Sequence, residues 1–286
     1  MGERVLLAGC GDVGLRVAQR LRARGDEVWG LRRRGHADGG ADLHWLAADL
    51  GDQGSLRGLP RGLTQLVYLP APGRGDLDAY RTLFPGGLRN LLAALDQTAL
   101  RRVLLVSSSA VYGDHAGAWV DELTPTAPLA GNGEALRDTE QWLAGARPDA
   151  AVVLRLAGLY GPGRLGLLAR LREGAVGVPR QARHWANRLH VDDAAAAIAH
   201  LLWLEAPQPL YLGVDDTPLP LDVLYDELAR LIGAPPPDDG PAPPQVGSKR
   251  LCNAQLRASG WAPRWPDARL GYAALFGQAV PGPDTV

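Results

Sequence analysis

The feature that most limits how this chain can fold lies near its start. Gly9-Cys10-Gly11-Asp12-Val13-Gly14, a G-x-G-x-x-G hexapeptide, directly follows the apolar run Arg4-Val5-Leu6-Leu7-Ala8 and directly precedes Leu15, Val17, Ala18 and Leu21 at helical spacing. In a chain with 36 glycines the match alone would carry little weight. Strand before and helix after are what make it informative. In that setting the first glycine permits a tight turn, the second lets a pyrophosphate approach the backbone, and the third allows the helix to pack closely on the strand. The helix N-terminus adds free N–H groups that suit a phosphate. A purely structural glycine turn is the competing reading. The context favours the phosphate-binding turn of a dinucleotide site, with Gly9, Gly11, Asp12, Val13 and Gly14 at the contact.

Short apolar strands are predicted at 27–31, 43–47, 65–69, 102–107 and 151–156, with helices at 77–95, interrupted near Pro85-Gly86-Gly87, and at 134–146. Strands without polar alternation are those buried on both faces. The alternation therefore predicts an α/β, Rossmann-type, doubly wound parallel sheet. Residues 1–159 form this part, with returning segments near 190–216. Residues 160–286 form mostly a small C-terminal, substrate-binding part with Gly-Pro turns, short helices at 165–172, 192–204 and 219–232, and a strand at 210–214. Residues 234–244, with Pro235-Pro236-Pro237 and Pro243-Pro244, are predicted as an exposed loop.

A net charge of -1 gives no electrostatic basis for nucleic acid or an anionic membrane as the main partner, so a small-molecule partner is expected. The two cysteines, Cys10 and Cys252, suit neither a metal cluster nor a disulfide framework. With no apolar run near the ~18 residues of a spanning helix, they point to a cytoplasmic protein that holds no metal.

NAD-binding versions of the glycine-loop fold carry an Asp or Glu about 20 residues beyond the loop, on the ribose 2′-hydroxyl. Here that region reads Leu31-Arg32-Arg33-Arg34. Guanidinium groups suit a 2′-phosphate, so Arg32 and Arg33 predict NADP(H) over NAD(H); the alternative is a solvated basic loop. In Ala48-Asp49-Leu50, Asp49 could accept from the adenine amine or cap the following turn, with Leu50 beside it.

Three further segments resemble the extended short-chain dehydrogenase/reductase family, which includes nucleotide-sugar epimerases and dehydratases. They are Ser107-Ser108-Ser109-Ala110-Val111-Tyr112-Gly113, the stretch from Arg155 through Tyr160-Gly161-Pro162 to Arg164, and Arg188-Leu189-His190-Val191-Asp192-Asp193. The resemblance implies a catalytic, carbonyl-polarising Ser108, with Ser107 beside the cofactor. It also implies a small substrate, nucleotide sugars included, and a homodimer of the kind common in the family. His190, Asp192 and Asp193 look like metal ligands, but the resemblance gives that stretch a structural role in opening a helix.

The family moves protons with Tyr-x-x-x-Lys, the lysine lowering the tyrosine pKa and holding the nicotinamide ribose. This chain cannot contain the motif, because its only lysine is Lys249, four residues after Gln245. Aligning Glu140-Gln141-Trp142-Leu143 with the family's Glu-Gln-x-Leu places Asn132 at the tyrosine position and Leu136 at the lysine position, while a supporting asparagine falls near Phe84. Two readings follow. One is an atypical oxidoreductase or epimerase in which Ser108, with Glu134, Tyr112 or Tyr160, handles the proton; the other is a non-catalytic dinucleotide sensor.

Overall fold

The computed structural model describes residues 2–34, 43–73 and 76–277. The last nine residues of the 160–286 range are thus outside the described part. Strands β1 (Arg4–Ala8), β2 (Glu27–Arg32), β3 (His44–Ala47), β4 (Gln65–Tyr68) and β5 (Arg102–Ser108) join Ala151–Leu156 and Leu210–Gly213 in one seven-stranded sheet. From one edge the order is Leu210–Gly213, Ala151–Leu156, β5, β4, β1, β2, β3, and the β1–β2, β2–β3, β1–β4 and β4–β5 pairs are parallel. The order reverses between β1 and β4, which is the topological switch point where open α/β sheets bind ligands. The absence of polar alternation has its expected cause: Val5, Leu6, Leu7 and all four residues of β4 are buried.

Helix α1 (Asp12–Ala23) buries Gly14, Val17, Ala18 and Leu21 at the i, i+3, i+4, i+7 positions of one face. Leu15, expected on that face, is instead 39% exposed, and Gly14 takes the inward position. The interruption expected at Pro85 is a change of winding. Helix α2 (Leu77–Arg81) passes through a π segment, Thr82–Gly87, into α3 (Leu88–Ala94). Proline has no N–H to give and its ring clashes with the preceding turn, so the backbone widens there rather than breaking. Helix α4 (Gly131–Ala146) begins three residues earlier than the pattern indicates.

By contacts the chain divides into two compact units. The first holds the chain up to Val111 with 130–155 and 195–211; the second holds 112–129, 156–194 and the chain from Leu212 onward. The second unit has its own core of Tyr160, Leu168, Val178, Leu224, Leu228 and Tyr272. Its sheets are two-residue or three-residue pairs, among them Gly158–Tyr160 with Arg188–His190 and Gly177–Val178 with Asp238–Asp239. The last pair modifies the expected loop at 234–244, since Asp238–Asp239 lies between the prolines and pairs as a short parallel strand. Among the described residues no helix is long and apolar enough to cross a membrane.

Candidate functional site

At the carboxyl ends of β1 and β2 the first unit contains a cavity of about 720 Å³ lined by Gly9, Gly11, Arg32, Arg33, Asp49 and Leu50, with Pro70 and Leu83 among the other walls. The glycine turn is built for close approach. Gly9 has φ +87, and a Cβ there would lie 2.6 Å from the Pro70 backbone, so a side chain is excluded twice over. Gly11 leaves open space on its Cβ side while its N–H bonds to Gly9 O at 2.8 Å. A Cβ on Gly14 would crowd Cys10 Sγ at 3.0 Å, with Leu69 Cδ1 in ordinary contact at 3.6 Å, which is the close helix-to-strand packing that the third glycine allows. Val13 is half-buried, and exposed Asp12 pairs with Arg16 at 2.9 Å in the first turn of α1. Burial pushes the Cys10 thiol up to about 12, so it is an inert wall.

Arg32 ends β2 with its guanidinium 5.8 Å from the centre of the Trp45 ring, and Arg33 follows it, exposed. Asp49 lines the same cavity with its Oδ1 accepting from Gly51 N–H at 2.9 Å, so the turn-closing and wall positions coincide.

The serines at the end of β5 divide their work. Ser107 is buried and its hydroxyl donates to Glu140 Oε1 of α4. Ser108 is half-buried, and its Oγ accepts from Ala110 N–H at 3.2 Å. Beneath them Glu140 meets Arg155 with Nη2 to Oε2 at 2.6 Å and Nε to the same carboxylate at 3.1 and 3.2 Å, both side chains less than a tenth exposed. This network was missed in the sequence, although a charged residue inside the apolar run Ala151–Leu156 was its one signal.

Asn132 stands half-buried in the first turn of α4, and Leu136 is buried, serving the core where a catalytic lysine would need its ammonium free. Phe84 is buried against Tyr80 with ring centres 5.5 Å apart. Of the three residues that the sequence offers beside Ser108 for proton transfer, Glu134 is exposed on α4. Tyr112 gives its hydroxyl to Asp121 O at 2.7 Å, and Tyr160 is buried on Tyr272 at 4.3 Å between ring centres, its pKa raised by burial. His190 accepts from Asp192 N–H at 3.2 Å through Nδ1, while the Asp193 carboxylate takes the N–H groups of Arg264 and Trp265. Among the described residues no three potential metal ligands cluster.

A sheet reversing at a glycine turn, with an arginine-edged cavity at its carboxyl ends, defines a dinucleotide-fold protein of the doubly wound class. The comparisons specify it further. The model of the NAD dependent epimerase/dehydratase family matches residues 5–210, and the chain belongs to that family. It is similar to protein YeeZ of Escherichia coli K12, 29% identical over 266 residues, covering 88% of this chain and 93% of that one. It is also similar to a 3-diazoavenalumate denitrifying reductase of Streptomyces sp, 29% identical over 94% of this chain and 98% of the relative. A solved structure from Methylobacillus flagellatus, assigned to the NAD-dependent epimerases/dehydratases, is 37% identical with a TM-score of 0.81, covering 97% of this chain and 98% of the other.

Proposed function

We propose that the protein binds NADP(H) in the first-unit cavity and acts as an atypical oxidoreductase on a small molecule. The observation that carries this reading is the end of β2, where Arg32 and Arg33 line the cavity and, among the described residues, arginines and no carboxylate follow Leu31. The residues fit the cofactor: Gly9 and Gly11 for the pyrophosphate, Asp49 and Leu50 for the adenine, and the two arginines for the 2′-phosphate. Bound NADPH would supply a hydride. Asp12, Val13 and Gly14 shape the helix end that would face the diphosphate, and Ser107 holds the end of β5 through Glu140.

The chain's own proton chemistry falls to Ser108. Its Oγ accepts from the Ala110 N–H, which leaves its O–H able to donate to a substrate oxygen as charge develops there. With Asn132 and Leu136 in place of the family tyrosine and lysine, nothing at those positions titrates, and the reductive step favours substrates whose proton can come from solvent. The buried Leu136 is the observation favouring the second reading, a non-catalytic dinucleotide sensor; turnover separates the two.

Fluorescence titration with both reduced cofactors tests the binding. NADPH is expected to bind more tightly than NADH, and Arg32→Ala to weaken NADPH by about 10–100-fold while leaving NADH nearly unchanged. Equal affinities, or an indifferent R32A, would overturn the preference. For turnover, Ser108→Ala is expected to lower kcat by about 10²-fold with NADPH affinity retained. An unchanged kcat removes Ser108 from the chemistry.

A further inference from the structure

The second unit contains a cavity of its own, about 900 Å³, bounded by Asp114, Leu129, Pro179, residues 181–184 and most of residues 239–248. We propose that it binds a mainly apolar, aryl-type molecule carrying one hydroxyl or carboxylate, at most singly charged, and that it excludes nucleoside diphosphates.

Three observations converge on that class. The first is an unfilled hydrogen-bonding position: His184 is only 6% exposed, lines the cavity, and its Nε2 has no partner among the described residues. A buried polar atom left unpaired costs free energy unless something supplies a partner. Burial, with Lys249 nearby, lowers the His184 pKa, so the ring is a neutral imidazole able to accept from a hydroxyl or, in the other tautomer, donate to a carboxylate.

The second is the charge of the wall. Two carboxylates, Asp114 and Asp239, border the cavity, and Arg183 is its one guanidinium. The nearby ammonium of Lys249 is 4% exposed and committed to the carbonyls of Gly113 at 2.9 Å and Gly247 at 3.3 Å. A diphosphate entering here would face two acids and one available cation, which is repulsion without the paired guanidinium groups that bind phosphates. A single carboxylate needs only Arg183.

The third is apolar surface left open. Leu129 is 52% and Val246 54% exposed, both on this cavity, and Pro179, Pro241 and Pro243 add rigid faces against which a flat ring can lie. Concave, mainly apolar walls with one or two convergent polar groups are the ordinary form of a small-molecule site. The binding assignment stands on these residues alone. Designating the ligand a substrate rests on the oxidoreductase reading.

Isothermal titration of the full chain with 4-hydroxycinnamate, 2-naphthol and UDP-glucose tests it. At least one aryl probe is expected to saturate at one site with Kd below about 1 mM, with UDP-glucose weaker than that probe. Ala182→Trp, from an exposed position on the wall, is expected to fill the cavity and weaken the aryl probe at least about tenfold, and His184→Leu to do the same by removing the hydrogen-bond partner. NADPH affinity, measured on the same variants, should not change, so a failed aryl site and a failed cofactor site give different results. UDP-glucose binding more tightly than both aryl probes, no saturation by either, or A182W binding like the wild type would each overturn the proposal. A182W keeps the test decisive if H184L does not fold.

Discussion

Glu140→Ala is expected to destabilise the first unit by about 3–5 kcal/mol, read as a lowered urea midpoint. Glu140 and Arg155 are each less than a tenth exposed, and their three N–H···O contacts are the means by which two opposite charges tolerate removal from water. Deleting the carboxylate takes from the Arg155 guanidinium its buried counter-charge and from the Ser107 hydroxyl its acceptor at the same time. The penalty belongs to the buried charge left behind, not to the pair as such. Glu140→Leu combined with Arg155→Met should therefore recover much of the loss, because both charges then leave together. A double variant as unstable as the sum of the two single ones would show that the two side chains contribute independently and that no charge left behind accounts for the loss.

The same network marks the limit of what could be read from the chain. The glycine turn and the β2 end were legible because backbone geometry and charge act locally there: Gly9 must hold a positive φ, and Arg32 follows directly from the strand that carries it. The parallel character of the sheet was legible, since strands covered on both faces tolerate runs such as Val5-Leu6-Leu7. Glu140 and Arg155 were not, because their roles depend on partners 15 residues apart on a helix and a strand, and a helical glutamate reads as solvated until its neighbours are known. Leu15 fails for a related reason. Periodicity places Leu15 and Gly14 next to each other near one face, and only the demand for close helix-to-strand approach decides that the glycine goes inward. The His184 cavity was invisible for the same cause as the buried pair, since residues 114, 184 and 239–248 meet only through the fold.

A pH dependence of stability is expected from Asp215 in the second unit. This carboxyl is 2% exposed, its Oδ2 has no partner, and burial, with Asp267 and Asp216 adding repulsion, outweighs the Thr217 N–H to push its pKa up to about 8. Unfolded, it titrates near 3.9. Between those values the folded protein holds a proton that the unfolded chain has released, so rising pH favours unfolding, by about 1.4 kcal/mol for each pH unit. The contribution is fully present below about pH 4 and lost as the pH passes 8. Asp215→Asn keeps the shape and an oxygen for Thr217 but cannot ionise. Its stability relative to the wild type should rise from pH 5 to pH 8 by roughly 4 kcal/mol, measured by urea unfolding at each pH. Other titrating groups act on both proteins and cancel in the difference. The depressed Lys249, at about 8, changes stability mainly above that window, where the unfolded chain binds the extra proton and stability climbs again with pH. Wild type and D215N running parallel from pH 5 to 8 would mean that the Asp215 carboxylate is ionised in the fold and has found a partner for Oδ2.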